Sequence, residues 1–410
     1  ALIVFDFKGD GTLEKIRTWA NECSRDTDVL DFSPDGKFYY DPLCGFDSIR
    51  KLSQFAEGIL EVVPEEGERY WQHALRKRIT CVLEYVLFKY DTPCFEDFLN
   101  EIFNFLSRMN ELLYEIGKFE LAIEDILSKT REHRIEYENL KRRLERLRGV
   151  FLEWQSLDSR TKSNETSTIS NLLSAFTNPS VEGLLSKIGR QRLDMEKILE
   201  GGKIAVVSFP ACVDGFSAAV VAKLLKGGFY TELQKRQNFK RLAGIIMDEY
   251  PLVASCGRFG DGVNLQTIRS KGGFVVAATQ GLVSLDMAVG RVNREQLMLN
   301  FNNRFIFRSE EMEVKALVDE MNLFSSGNSV GFFPNGFKKV SLNIEEFPTG
   351  YAVIKLANGF KTKSPVQLER LFIESPNSQQ PENNDPLRTC LDKLRSAANS
   401  VSLYDFTEER

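Results

Sequence analysis

Residues 242–250 read LAGIIMDEY, an apolar run that ends in two adjacent carboxylates. A short, uninterrupted apolar run of this kind is typical of a parallel strand that is buried on both faces. The stretches that separate such runs, for example residues 217–237 and 262–270, are long enough for crossover helices. The alternation predicts an α/β fold with a mostly parallel sheet. The other runs with this character are residues 1–7 (ALIVFDF), 203–209, 273–278 and 304–307.

Between the apolar runs at residues 1–7 and 203–209, the spacing of apolar residues becomes that of helices. Apolar residues recur at spacings of three and four, as in the stripe formed by Ile102, Phe105, Met109, Leu112 and Ile116. Residues 131–154 are highly charged but keep one apolar seam. A polar break over residues 158–168 is expected to precede a last helical part that begins near Ile169. This pattern predicts an all-helical insertion within the α/β domain.

The insertion divides the chain into four expected parts. Residues 1–58 and 201–372 form the two parts of one α/β core, residues 59–200 form the all-α insertion, and residues 373–410 form a polar tail. Near the end of the core, GYAVIKLA over residues 350–357 predicts a strand, and Asn358-Gly359 predicts a hairpin turn.

Composition excludes several classes of protein. The 410 residues are 42% hydrophobic with a formal net charge of −5, which is typical of globular chains and not of collagen-like or disordered ones. Seven cysteines without a CxxC pair favour a reducing, cytoplasmic compartment over a disulfide framework. The two histidines, His73 and His133, have no neighbours that would complete a zinc site. No apolar run reaches the roughly 18–20 residues of a membrane span.

Polar residues at the ends of two successive apolar runs carry the strongest chemical signal. Asp248-Glu249 follows the apolar run at residues 242–247. Thr279-Gln280 ends the next run, GFVVAATQ, at residues 273–280. An aspartate at a strand's carboxyl end suits the hydration shell of magnesium, and an adjacent glutamate can polarise water. A glutamine can donate to a phosphate or orient the attacking water. Solvated acids at an ordinary strand end are the alternative interpretation of Asp248-Glu249, and the ordered pair of motifs makes it less favourable.

Further motifs follow the same order along the chain as in one known family. The chain resembles the coupling-protein ATPases of type IV secretion and conjugation, within the wider group of FtsK/HerA-like DNA-pumping motors. The resemblance extends over about residues 1–371. The similar motifs are FDFKGDG at residues 5–11, Asp41-Pro42-Leu43 in place of the family's Asn-Pro-Leu, Tyr70-Trp71, GGKIAVVSFP at residues 201–210, MDEYP at 247–251, GRFGD at 257–261, ATQ at 278–280 and NFNNRFIFR at 300–308.

The resemblance implies a RecA-like P-loop ATPase core with ATP and Mg²⁺ as cofactors. It implies that Asp248 holds Mg²⁺ through water, that Glu249 is the catalytic base or water-orienting residue, and that Gln280 senses the γ-phosphate. It further implies a homo-oligomeric ring, a hexamer, that pumps DNA. The all-α insertion or the tail would then contact a relaxase, a relaxosome or a secretion channel. We expect a cytoplasmic domain, with a possible inner-membrane anchor outside this chain.

One departure from the family is large. The phosphate loop G-x-x-x-x-G-K-[ST] is absent, because none of the Gly-Lys pairs at Gly36, Gly117 and Gly202 has the required glycine spacing or a following Ser or Thr. This loop supplies the backbone N–H groups and the lysine that hold the phosphates. We therefore expect a chain cut just after its phosphate loop, or a diverged member without one. As given, the residues are expected to bind nucleotide weakly or not at all.

Basic residues offer weaker candidates. Arg258, in the GRFG context, could act as an arginine finger across a subunit boundary, with a surface salt bridge as the alternative. Lys8 is a candidate nucleotide contact, with a simple turn as the alternative. Because the net charge is negative, any DNA contact must be local. The candidate DNA-binding residues, for which solvated faces are the alternative, are Lys235, Arg236, Lys240, Lys338 and Lys339.

Three functions stay open on the sequence. The first is the DNA-translocating ATPase. The second is a non-hydrolysing adaptor or scaffold that keeps the fold without its phosphate loop. The third is a related DNA-pumping motor in chromosome segregation, DNA repair or phage defence.

Overall fold

The computed structural model describes part of the chain. The described residues are 1–44, 55–56, 58–59, 69–90, 92–129, 134–209, 214–237, 241–257, 260–323, 351–355 and 366–367. All of them belong to one compact unit, Ala1–Glu369, and a second unit, Arg370–Arg410, lies outside the described residues.

The described strands and helices alternate on either side of a run of consecutive helices over residues 69–182. The strands are β1 Leu2–Asp6, β2 Val29–Phe32, β3 Phe38–Tyr39, β4 Gln191–Arg192, β5 Ile204–Ser208, β6 Ala243–Met247, β7 Gly273–Ala277, β8 Arg304–Ile306, β9 Tyr351–Lys355 and β10 Val366–Gln367. The helices are α1 Thr12–Glu22, α2 Arg69–Lys89, α3 Phe95–Ser107, α4 Met109–Lys129, α5 Arg134–Ser156, α6 Ser159–Thr177, α7 Pro179–Glu182, α8 Met195–Gly201, α9 Gly215–Lys235, α10 Asp261–Thr267, α11 Leu282–Val289, α12 Arg291–Asn300 and α13 Met312–Leu323.

A five-stranded, wholly parallel sheet forms the centre of the fold. Its order is β2-β5-β1-β6-β7, so that β1 lies between β5 and β6. Successive side chains of a strand point to opposite faces. Ile3 and Phe5 of β1 therefore join the main core, whereas Val4 packs with Ile16 of α1 on the other face. The predicted α/β fold with a mostly parallel sheet is confirmed.

The helical insertion is continuous with the sheet domain. Helices α2 to α8 lie in sequence between β3 and β5, and their buried residues belong to the same core cluster as those of the sheet. Phe95 of α3, for example, contacts Phe176 of α6 edge-on, with ring centroids 5.2 Å apart. Among the described helices, none combines the length and the apolar character needed to cross a membrane.

Several local predictions differ from the structure. The stripe through Met109 is broken at Arg108, where α3 ends and α4 begins. The polar break expected over residues 158–168 is helical, because the Asp158 carboxylate accepts hydrogen bonds from the N–H groups of Arg160 and Thr161 and caps α6.

Two strands also differ from the prediction, one by its presence and one by its pairing. Strand β2 was not predicted, since Val29–Phe32 is short and carries Asp31. Residues 304–307 were expected as a buried parallel strand, but β8 pairs antiparallel with β9 in a separate sheet. Phe305 is half exposed there, as is usual for an antiparallel sheet with one solvated face. The strand expected at residues 350–357 corresponds to β9, and the turn at Asn358-Gly359 lies outside the described residues.

Candidate functional site

The carboxyl ends of β1, β6 and β7 meet at one edge of the sheet. The backbone pairing continues beyond the strands, since Ala278 N–H donates to the Met247 carbonyl at 2.9 Å and Tyr250 N–H donates to the Ala278 carbonyl at 2.8 Å. These bonds bring the loop after β6, which carries Asp248 and Glu249, beside the loop after β7, which carries Gln280. Carboxyl edges of open α/β sheets are where such folds bind ligands.

Four predicted residues contact one another at this edge. The Lys8 ammonium lies 2.8 Å from Asp248 Oδ2 and 3.3 Å from Glu249 Oε1. Gln280 Nε2 donates to the same Glu249 Oε1 at 2.6 Å. The hydrogen bond to Asp248, reinforced by Glu249, raises the pKa of Lys8 above its usual value. The structure therefore brings Lys8 and Gln280 to the Asp248-Glu249 pair, with Glu249 in contact with both.

Asp6 fixes the turn that presents Lys8. Its buried carboxylate accepts hydrogen bonds from the backbone N–H groups of Lys8 at 3.1 Å and Gly9 at 3.0 Å. Gly9 has a φ of 63°, in the region that favours glycine. Asp6 belongs to the FDFKGDG motif, but it was not among the predicted site residues. Its position at the end of an apolar strand and before a glycine-containing turn was the available signal.

Glu249 adopts an unusual backbone conformation. Its φ of 54° and ψ of 51° are left-handed, which costs a non-glycine residue about 1–2 kcal/mol. The Asp248 Oδ1 atom accepts the Glu249 N–H at 3.1 Å, and a short 3₁₀ turn, Tyr250–Leu252, begins immediately afterwards. Strained residues of this kind are concentrated at functional sites. In this conformation the Glu249 carboxylate contacts both Gln280 and Lys8.

A buried ion pair between Lys226 and Asp261 anchors the loop that follows Glu249 to helix α9. Lys226 of α9 donates to Asp261 Oδ2 at 2.5 Å and to the Val253 carbonyl, and both charged side chains are inaccessible to solvent. Asp261 also accepts the Tyr230 hydroxyl at 2.6 Å and the Ser255 N–H at 3.1 Å. Burial lowers the pKa of Lys226, and the Asp261 carboxylate opposes that effect. Sequence reasoning placed Asp261 in a motif but missed this anchor.

Comparison with solved structures identifies the fold. A plasmid coupling protein, TrwB, in complex with ADP and Mg²⁺ superposes with a TM-score of 0.59 at 15% identity, over 92% of this chain and 86% of that one. TrwB with a non-hydrolysable ATP analogue gives 0.56 at 14%, over 92% and 87%, and its unbound form gives 0.54 at 15%, over 90% and 85%. The chain has the coupling-protein fold. No protein-family model matches the sequence, and no curated protein matches it.

The two carboxylates at this edge suit a magnesium ion that takes its remaining ligands from outside the described residues. No group of three or more His, Cys, Asp or Glu within the described ranges could hold a metal by itself. Magnesium in nucleotide enzymes is commonly held by one or two carboxylates together with phosphate oxygens and water. Asp248 and Glu249 supply hard oxygen ligands in that number, and both are partly exposed. The residues present therefore fit the ion.

The remaining candidate residues lie away from this edge or outside the described part. Arg258, Lys240, Lys338 and Lys339 are outside the described residues. Lys235 is exposed and pairs with Glu232. Arg236 was expected in an exposed basic cluster, but it is buried, with a side chain 3% exposed that donates to Glu200 and to the Arg241 carbonyl. The expectation of exposure was wrong because the end of α9 packs against α8.

A separate cavity of about 650 Å³ lies between α8, α9 and the Tyr40–Cys44 turn, and none of the four clustered residues lines it. Its wall includes Lys223, which pairs with none of the described residues. Burial lowers the pKa of Lys223 to about 8. The cavity is therefore a second environment with an unusual lysine, apart from the candidate nucleotide site.

Proposed function

We propose that this chain is the hydrolytic core of an ATP-driven DNA translocase of the coupling-protein type. The observation that carries the proposal is the contact of Lys8, Asp248, Glu249 and Gln280 at the carboxyl edge of the sheet. The coupling-protein fold supports it, since TrwB with this fold was solved with ADP and Mg²⁺ and with an ATP analogue. ATP and Mg²⁺ are accordingly the proposed cofactors.

The four residues divide the chemistry among them. Magnesium, when bound, neutralises phosphate charge and polarises the phosphoryl group. Asp248 would hold that ion, and Glu249 would lie beside it. Glu249 accepts the proton of the attacking water, a role for which its carboxylate is fixed by the Gln280 amide. Gln280, one strand away, then reports the state of the phosphate to the loop that follows β7.

The proposed reaction also needs a phosphate-binding loop, which these residues do not contain. Among the described strands, β7 pairs only with β6, and its Phe274 and Val276 side chains are 37% and 50% exposed although both are apolar. A parallel strand added to this open edge would end beside Gln280. Its following helix would cover Phe274 and Val276. We propose that the phosphate loop enters the site from a strand at this position.

We propose that the protein translocates DNA and that it assembles as a homo-oligomeric ring. A relaxase, relaxosome or secretion channel is proposed to contact the helical region or the tail. Because the chain carries a net charge of −5, DNA contact would depend on local basic groups that a ring repeats around one channel.

The test is ATP hydrolysis by the full-length gene product with and without DNA, compared with a Glu249→Gln variant. We expect DNA to raise the rate several-fold, and the variant to lose about 10²- to 10⁴-fold in turnover while it still binds ATP. Glu22→Gln, at an exposed position at the end of α1, is the matched control and should keep the wild-type rate.

The alternative function is a non-hydrolysing adaptor with the same fold. If the full-length protein binds no ATP, or if Glu249→Gln hydrolyses ATP as fast as wild type, the carboxylates are structural. The adaptor function would then replace the motor.

A further inference from the structure

The Lys8 ammonium occupies the space between the two carboxylates of the candidate magnesium site. It contacts Asp248 Oδ2 and Glu249 Oε1 at once, at 2.8 and 3.3 Å. These oxygens are the ligands that a divalent cation would use directly or through water. A lysine and a magnesium ion are both positive, so the two cannot share these oxygens without strong repulsion.

The turn holds the backbone of Lys8 but leaves its side chain free to move. Asp6 accepts the N–H groups of Lys8 and Gly9 and thereby fixes the main chain. The Lys8 side chain is 47% exposed, and the Asp248 side chain is 45% exposed. Ion pairs this exposed contribute little to stability. The flexible side chain can therefore leave the carboxylates at low cost while its Cα stays in place.

The charges at the site also favour an exchange. The carboxylates of Asp248 and Glu249 and the ammonium of Lys8 together carry a net charge of −1 when no nucleotide is bound. A nucleotide brings several negative phosphate oxygens together with its magnesium. If a metal took the two carboxylates, the Lys8 ammonium would lose these partners, and phosphate oxygens would offer it new anionic ones.

We propose that Lys8 is a resident cation that keeps divalent metal off Asp248 and Glu249 until a nucleotide arrives, and then transfers to a phosphate oxygen. The inference rests on the proposed function, because it assigns a regulation to the same site. It makes metal binding conditional on nucleotide. It also couples the β1 turn to the carboxylate loop of β6 through a contact that exists only in the empty site.

The test is Mn²⁺ binding to the nucleotide-free chain, measured by electron paramagnetic resonance, since Mn²⁺ uses the same oxygen ligands as Mg²⁺. Lys8→Gln removes the charge at similar length and should bind Mn²⁺ about three- to tenfold more tightly than wild type. Lys8→Arg keeps the charge and should bind as wild type does. Lys15→Gln is the matched control, because Lys15 pairs with Asp10 beside the same turn but does not contact the carboxylates.

A second measurement uses the wild-type chain and so does not depend on how a variant folds. Because the ammonium and the metal compete for the same oxygens, Mn²⁺ should displace Lys8 in the absence of nucleotide only at concentrations high enough to saturate the site. Acetylation of lysines by an N-hydroxysuccinimide ester, followed by mass spectrometry, should then become faster at Lys8 and stay constant at Lys15. An unchanged Mn²⁺ affinity in Lys8→Gln, no Mn²⁺ binding in any variant, or constant acetylation of Lys8 would overturn the inference. None of these measurements needs hydrolysis, so a failure here is distinct from a failure of the Glu249→Gln experiment.

Discussion

Two lysine–carboxylate contacts lie on either side of the loop that follows β6, and they differ in one property. Lys8 meets Asp248 at 2.8 Å, and Lys226 meets Asp261 at 2.5 Å. The first pair is 47% and 45% exposed, whereas both members of the second are inaccessible. The chemical groups and the distances are nearly the same, so the comparison isolates the effect of burial.

The difference assigns the two contacts to different tasks. An exposed ion pair contributes about 0–1 kcal/mol, so the Lys8 contact can be exchanged for another one. A buried pair must have every charged atom satisfied, and removing one partner leaves an uncompensated charge. The Lys226–Asp261 pair meets that requirement through Val253, Tyr230 and Ser255. We infer that the buried contact holds the loop in place so that the exposed contact can change.

Lys226→Met tests the buried side of this comparison and has the largest expected effect. The variant leaves the Asp261 carboxylate buried without its cation, which should lower the free energy of unfolding by about 3–5 kcal/mol. Urea denaturation followed by circular dichroism measures the change. Lys8→Gln, the equivalent change on the exposed side, should lower the free energy of unfolding by about 1 kcal/mol or less.

A double-mutant cycle shows whether the loss comes from the pair itself. Lys226→Met combined with Asp261→Asn removes both charges and should be clearly more stable than the sum of the two single losses. Additive losses, or a Lys226→Met variant no less stable than Lys8→Gln, would mean that burial does not separate the two contacts.

Asp6→Ala tests the link between the turn and the exposed contact, with an intermediate effect. The change leaves the N–H groups of Lys8 and Gly9 without their acceptor, which should lower the free energy of unfolding by about 1–2 kcal/mol. Asp6→Asn keeps an acceptor oxygen and should recover most of this loss in the same urea experiment. Equal losses in the two variants would show that the carboxylate acts through its charge and not by capping the turn.

The sequence was sufficient for the sheet because buried parallel strands are continuous apolar runs. Strands β1, β5 and β6 coincide with such runs to within one or two residues. Strand β7 coincides with its run as well, but the expectation that it is buried on both faces was wrong, because Phe274 and Val276 are exposed. Strand β2 was missed because its four residues include an aspartate. The start of α6 was missed because a polar helix that is capped by Asp158 has the composition of a loop.

The sequence predicted the site only in part. The period of the strands placed Asp248, Glu249 and Gln280 at carboxyl ends, and parallel pairing then brings such ends to one edge. The Lys226–Asp261 pair could not be predicted, because it joins two residues that are 35 positions apart and belong to different helices, α9 and α10. The burial of Arg236 could not be predicted either, since its partner Glu200 belongs to a different element, helix α8. Contacts of this kind depend on how the elements pack.

Lys223 supplies the last and smallest test, because it lies one turn before Lys226 on α9 and is half buried without a carboxylate partner among the described residues. Burial lowers its pKa from 10.5 to about 8. Between those values the unfolded chain binds the proton and the folded chain does not, so this group adds stability as the pH rises and loses that stability as the pH falls through 8. At pH 7 the folded protein holds a charged lysine at a cost that we place at about 1 kcal/mol after allowance for solvent screening.

Lys223→Met should therefore gain stability relative to wild type at pH 7, and the gain should shrink by about that amount at pH 10 in urea titrations. Lys223→Arg stays charged throughout, so the difference between the Met and Arg variants should not change with pH. A gain of Lys223→Met over wild type that is constant across this range would show that solvent reaches Lys223 as freely as it reaches Lys8, and that an unpaired lysine on this helix costs no more than an exposed one.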